Sequence, residues 1–409
     1  MTDKPFQIVV FGATSFVGQI ICQYLTDTYG VDGEVKWAAA GRNLDKLNEV
    51  KATLGGAASN LTLLQADAND PKQLAALCDK AGVILSTVGP YALYGEPMVK
   101  ACVETGTDYV DLTGETQWIR AMLIKYEKQA QASGARIVNC CGFDSIPSDL
   151  GVHFLQKQAK EKFGAPCTRV KMRVKAAKGG ASGGTVASML NIVQEATKDA
   201  ELRKQLGNPY ALCIDNAVNS ARQPDVKSAT KDPDFNAWLA PFVMAAINTR
   251  IVHRSNALLK GGYGKDFAYD EAMLTGSGTS GWLKAQAITG ALGGFVVGAA
   301  LKPTRWLMEK FVLPAPGEGP SPEEQKNGFY DIRFHGKTAA GEEIRTKVTG
   351  DRDPGYGSTA KMISEAALCL GVDTPASVVG GGFWTPATAL GDKLIERLEA
   401  KAGLQFKVL

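Results

Sequence analysis

The sequence predicts an α/β protein with an N-terminal doubly wound parallel sheet and a second, mixed α+β domain. Three observations carry this. Gln7–Gly18 (QIVVFGATSFVG) reads as a buried strand, a tight glycine turn and a helix. Apolar strands then alternate with helical stretches as far as Cys140, the pattern of successive βαβ units. From Thr168 the pattern changes: Arg169–Ala177 alternates apolar and basic residues, a strand with one wet face. At 409 residues the chain also exceeds the ~250–300 at which single cores stop growing. The expected domains are 1–150, 151–355 and 356–409, the last a set of helices packing back on the first.

Ile8–Phe11 is a run of mostly β-branched apolar residues, too short for a typical helix, and Gly12 ends it. Phe16, Val17, Ile20, Ile21 and Tyr24 then recur at helical spacing. The free N–H groups and positive dipole end of that helix suit a pyrophosphate. The motif is a variant, because Gly12-x-x-Ser15-x-x-Gly18 has serine where the middle glycine would stand. The Ser15 hydroxyl can donate to phosphate. Val35–Gly41 is the second strand and ends where the adenosine ribose lies in a dinucleotide-binding Rossmann fold. An acid there would favour NAD. Arg42 stands there instead, with Lys46 a turn later, and both can pair with a 2′-phosphate, which favours NADP.

Leu61–Ala66 is a third strand and brings Asp67 and Ala68 near the adenine. Val83–Val88 is a fourth and runs into Gly89-Pro90-Tyr91, on the carboxyl edge where ligands bind in open parallel sheets. Helices are expected at Pro71–Lys80, Gly95–Thr105 and Thr116–Ser133, and strands at Tyr109–Leu112 and Ala135–Cys140. Phe143 and Asp144 follow on the same edge. Ser145 can cap the next helix, with Pro147 and Asp149 in its first turn. The stretch from Gly142 to Asp149 admits both capping and ligand contact.

In the second domain, Gly179–Gly184 is glycine-rich and opens a helix at Thr185–Lys198. Residues 207–234 read as a surface segment, and Ala237–Asn248 as apolar and helical. Phe329–Phe334 and Glu343–Thr349 read as an antiparallel pair joined across 335–342, and Ser358–Leu370 as a helix. Ala285–Leu301 carries no charge and falls slightly short of the ~20 apolar residues a membrane span needs. It fits a buried or dimer-interface helix. It also fits a peripheral lipid contact, with Lys302, Arg305 and Lys310 at the headgroups.

A net charge of +3 gives no general affinity for nucleic acid. Eight cysteines with no C-x-x-C pair, and no signal peptide, lead to the expectation of reduced thiols in the cytoplasm, with the peripheral membrane contact left open. Three histidines and no clustered ligands lead to the expectation of no metal site.

These residues resemble the saccharopine-dehydrogenase-like oxidoreductases, and within them the branch of trans-acting enoyl reductases. The resemblance lies in GATSFVG, AGRNLDKL, STVGPYALYGEPMV, GTDYVDLTGE, GARIVNCCGFDSIPSDLG, SGGTVASML, APFVMAAINTRIVHRSNALL and GDRDPGYGSTAKM, spread along the whole chain. It implies NADP bound by Gly12, Thr14, Ser15, Phe16, Val17, Gly18, Arg42, Lys46, Thr87, Gly89 and Pro90, with Val88 beside them. It implies hydride delivery to an α,β-unsaturated acyl chain held on a carrier, while distant relatives act on the C–N bond of saccharopine. The pocket beyond the cofactor is assigned to Tyr94, Phe143, Asp144 and Gly183, in a homodimeric protein.

Read from the residues alone, no tyrosine has lysine four positions on, so the acid–base pair of short-chain dehydrogenases is absent. Enoyl reduction needs a hydride at the β-carbon and a proton at the α-carbon or enolate oxygen. Tyr91 is the candidate donor. A cofactor-binding interaction protein without turnover is the second function class.

Overall fold

The computed structural model describes residues 4–180, 183–214, 221–311 and 318–409. Residues 181–182 of the glycine-rich stretch and 215–220 of the expected surface segment lie outside the described residues. The chain forms two units. One is built from residues 4–144, 318–319 and 355–403, the other from residues 145–316, 320–354 and 404–409 where these are described.

The first unit holds seven strands. They are β1 (Phe6–Phe11), β2 (Trp37–Gly41), β3 (Thr62–Gln65), β4 (Ala81–Ser86), β5 (Asp108–Asp111), β6 (Arg136–Val138) and, from the far end of the chain, β13 (Gly382–Trp384). Their order is β13-β6-β5-β4-β1-β2-β3, and every pair is parallel. Ile8, Val9 and Val10 are wholly buried. Burying each such side chain is worth roughly 1.5–3 kcal/mol, which is why this stretch of β-branched residues sits at the centre of the sheet. The order reverses at β1 and β4, the switch point that opens a crevice at the carboxyl ends.

The C-terminal helices complete this unit. Glu365, on the helix Thr359–Leu368, accepts hydrogen bonds from the Tyr24 and Tyr29 hydroxyls at 2.7 Å each and pairs with Arg397 at 2.7 Å. The wholly buried carboxylate is therefore matched by three donors, as a buried charge must be.

The second unit is a mixed sheet of β7 (Cys167–Lys178), β8 (Thr230–Asp232), β9 (Ala237–Ala240), β10 (Ala268–Gly276), β11 (Phe329–Thr338), β12 (Glu343–Gly350) and β14 (Leu404–Val408). The order is β14-β12-β11-β7-β10-β9-β8; only β7 and β10 run parallel. The expected β11–β12 pair is present, with both strands longer and the turn shorter than the sequence suggested. Ala237–Asn248 is not a single helix. Its first four residues are β9, and the helix runs Ala245–Leu258. A short apolar run does not distinguish a buried strand from a buried helix, and Pro241 divides this one. Ser145 does not cap its helix; its hydroxyl donates to Asn248 Oδ1 at 3.0 Å. Ala285–Ala300 falls within a longer helix, Gly278–Ala300, with Leu301 just past its end, and only Gly281, Ala285 and Ala299 of that helix are buried. A core helix is excluded.

Candidate functional site at the carboxyl edge of the parallel sheet

The strand–turn–helix at the N-terminus is fixed by close approach. Gly12 has φ +92°, and a Cβ there would stand 2.5 Å from Thr87 Oγ1. A Cβ on Gly18 would stand 2.2 Å from the Gly12 carbonyl oxygen. Both positions therefore demand glycine. Gly12 and Ala13 donate to the Ala40 carbonyl at 2.9 and 3.1 Å, tying the turn to β2.

Ser15 is the N-cap of the helix Phe16–Tyr29, and its Oγ accepts from Gly18 N at 3.0 Å. Its hydroxyl also meets Thr87 Oγ1 at 2.9 Å, while Thr87 donates to the Gly12 carbonyl at 2.9 Å. With one proton on each hydroxyl, Thr87 supplies Gly12 and Ser15 supplies Thr87. The Ser15 proton is thus turned toward its own neighbours, not toward a phosphate. Among the described residues, the Phe16 and Val17 N–H groups have no acceptor. Two open donors at the positive end of a helix fit a pyrophosphate, with Thr14 in the same turn.

Arg42 follows β2, and Asn43 caps the next helix, Leu44–Thr53, through Lys46 N at 3.0 Å. With the cap supplied by asparagine, the Arg42 and Lys46 side chains are exposed and have no ion-pair partner among the described residues. Two cations at a helix start oppose its dipole, a cost that a bound 2′-phosphate reverses. Asp67 holds a local turn, its Oδ1 accepting from Asn69 N at 2.9 Å, and Ala68 follows β3 beside it.

After β4, Thr87 donates its N–H to the Phe11 carbonyl at 2.9 Å, and Val88, Gly89 and Pro90 lead into the short helix Tyr91–Tyr94. The Tyr91 ring is buried against Trp118, with centroids 5.4 Å apart. Its hydroxyl donates to the Ser86 carbonyl at 3.0 Å and accepts from Leu112 N at 3.1 Å. Burial above all, and then the charge of Asp111, push this phenol well above its ordinary range. This placement corrects the sequence expectation, because a proton held by a main-chain carbonyl inside the core makes Tyr91 a brace and not a donor. Tyr94 is exposed.

Two buried carboxylates on this edge were not legible in the sequence. Glu115 caps the start of Tyr91–Tyr94, accepting from Tyr91 N at 2.8 Å and Ala92 N at 2.9 Å. Asp111 accepts from Asn139 Nδ2 at 2.7 Å, Cys140 N at 3.0 Å and Thr113 N at 3.2 Å. Burial still lifts it to about 7, against the lowering effect of those three donors. Cys140 is held at φ +61° by these contacts and by its thiol on the Thr113 carbonyl at 3.0 Å. Asp144 is pushed well above the carboxylate range by burial and then by Asp111. Phe143 N donates to Thr359 Oγ1 at 2.9 Å, fixing the loop that carries Asp144. The Asp144 carboxyl on this edge therefore holds its proton more firmly than an ordinary carboxyl. Gly183 lies in the second unit, where it opens the helix Gly183–Lys198.

Residues 8–138 match the family model of the saccharopine dehydrogenase NADP-binding domain. Over 99% of this chain and 98% of the relative, the sequence is 40% identical to a Mycobacterium tuberculosis protein provisionally named a trans-acting enoyl reductase. A trans-acting enoyl reductase of Mycobacterium ulcerans is 37% identical over 97% of this chain and 96% of its own. Among solved structures, apo saccharopine dehydrogenase (L-Glu forming) of Saccharomyces cerevisiae matches with a TM-score of 0.54 at 13% identity. It covers 98% of this chain and 99% of that one, and at that identity the likeness speaks for the fold. With the glycine cradle and the NADP-binding domain in place, the chain belongs to the saccharopine-dehydrogenase-like family, in its trans-acting enoyl reductase branch, and is an NADP-binding oxidoreductase.

Proposed function

We propose that the protein reduces the carbon–carbon double bond of an α,β-unsaturated acyl chain presented by a separate carrier. The observation that carries this is the near-full-length identity to proteins named trans-acting enoyl reductases, together with a cradle that fits NADP. When bound, NADPH supplies the hydride for the β-carbon. The protein's own part is to receive the diphosphate on the Phe16 and Val17 N–H groups, to pair the 2′-phosphate with Arg42 and Lys46, and to hold a proton. Asp144 suits that last task, because burial and the neighbouring Asp111 raise its carboxyl pKa on the edge where ligands bind in this fold.

The test offers NADPH deuterated at the nicotinamide 4-position with trans-2-enoyl pantetheine thioesters of graded chain length. Deuterium at the β-carbon of a saturated product supports the reading. Absence of turnover across the series, with NADPH bound tightly, points instead to a nucleotide-binding protein without this chemistry.

A further inference from the structure

The helix Gly278–Ala300 is followed at once by Lys302–Phe311, and the two fold against each other; a Cβ on Gly298 would stand 2.8 Å from Met308 Sδ. One side of the first helix packs through Phe295 and Ala299 on Val186 and Leu190. Its other side faces solvent, and Val297 is 61% exposed. No charged residue lies between Lys284 and Lys302. Scattered exposed apolar side chains are ordinary, but a continuous uncharged face of them marks an interaction surface. The second helix extends that face with Trp306, Leu307 and Phe311, the last 68% exposed. The face also borders an open cleft of about 580 Å³, to which the first helix contributes Lys284, Ala287 and Ile288, beside Lys175.

The charge on this face decides its partner. Lys302, Arg305 and Lys310 stand among the apolar residues of the second helix, against a single acid, Glu309. The Lys310 ammonium lies 4.9 Å from the Trp306 ring centroid, so aromatic and cation sit at one level. An apolar face with aromatic and basic residues side by side at its edge matches the passage from acyl chains to anionic headgroups. A second copy of the face would bring three more cations, whereas an anionic headgroup layer brings net negative charge. The first helix is long and apolar enough to cross a membrane, but one of its sides is already committed to Val186 and Leu190. It therefore lies along a surface.

We propose that the helices Gly278–Ala300 and Lys302–Phe311 dock the protein on an anionic lipid bilayer, in the plane of the headgroups. The proposal is independent of the acyl-reduction reading. The test is flotation of the full chain with phosphatidylcholine vesicles, with and without phosphatidylglycerol, beside light scattering of the protein alone. The expected result is flotation with the anionic vesicles, weakening as salt is raised. Basic residues near such a surface are worth on the order of fivefold each in binding, so Lys302→Gln with Lys310→Gln should lower partitioning by roughly 25-fold. Both changes lie on exposed positions, and an unaltered melting midpoint and NADPH affinity verify the fold. The salt titration needs no variant and stands if one fails to fold. Failure of the native protein to float with anionic vesicles overturns the proposal, whether scattering gives a monomer or a dimer that Val297→Asp dissociates. Flotation that is indifferent to phosphatidylglycerol and to salt overturns it as well.

Discussion

Position alone singles out Arg42 and Lys46 as candidates, since the residue after the second strand of this fold meets the ribose. Their exposure, with Asn43 supplying the cap, leaves them for a ligand. Arg42→Ala should therefore remove most of the preference for NADPH over NADH, on the order of 1.5–3 kcal/mol, as read by calorimetry with both nucleotides. Equal affinities in the native protein would refute the assignment. Gly12 was equally legible, because only glycine tolerates its spacing and turn. Gly12→Ala should abolish NADPH binding, and it should also lower stability by about 1–3 kcal/mol, because Thr87 and Val88 stand where the methyl would go. Asp111 and Glu115 were not legible, since a buried acid and a surface acid look alike in sequence until the strands that bury them are placed. For Asp144 the sign is definite. Its carboxyl pKa is raised, so the proton is held to a higher pH than on an ordinary carboxyl and leaves as pH rises, and the rate of reduction should fall on that upper limb. Asp144→Asn should cost on the order of 10²–10⁴-fold in kcat and remove the limb while NADPH affinity is kept. A variant with native kcat would end the role given to Asp144.

At the scale of elements, the parallel strands were the easiest to read, because burial on both faces forces an unbroken apolar run. The error at Ala237–Asn248 has the same root, since such a run carries no periodicity to separate strand from helix. The second unit also carries an element-level pH signature. Glu271 on β10 is wholly buried, accepting from Tyr269 at 2.7 Å and Asn248 at 2.9 Å, and burial lifts it to about 7. A carboxyl with a raised folded pKa stabilises fully below its unfolded pKa near 4.5, and that contribution disappears as pH rises through about 7. The melting midpoint of the native protein should thus fall relative to that of Glu271→Gln between pH 5 and 8, by up to about 3 kcal/mol in stability. Parallel pH curves for the two proteins would show that Glu271 titrates normally.

Across the whole molecule, the first unit is assembled from both ends of the sequence, a plan that no single motif announces. β13 extends the parallel sheet and Glu365 secures the returning helices to Tyr24 and Tyr29. A polypeptide of residues 1–144 should accordingly fail to fold stably, because the groups that face Glu365 and β13 would be uncovered. The same residues joined by a short linker to 355–403 should fold and bind NADPH. Cooperative melting and NADPH affinity measured on both polypeptides check this, and tight binding by residues 1–144 alone would contradict it.

That plan has a consequence for synthesis. The ribosome delivers the nucleotide cradle first and the segment that completes its sheet last. At about 5–20 residues per second, some tens of seconds separate the two. During that interval Ile8–Phe11 and its neighbours have emerged while β13 and the helix Thr359–Leu368 do not yet exist. The nascent chain must wait with an unfinished parallel sheet edge, the kind of surface that chaperones shield. Firm capture of NADPH should therefore await the emergence of β13 and the helix Thr359–Leu368, and a translation product cut short of them should carry the motif of a nucleotide-binding protein without the means to use it.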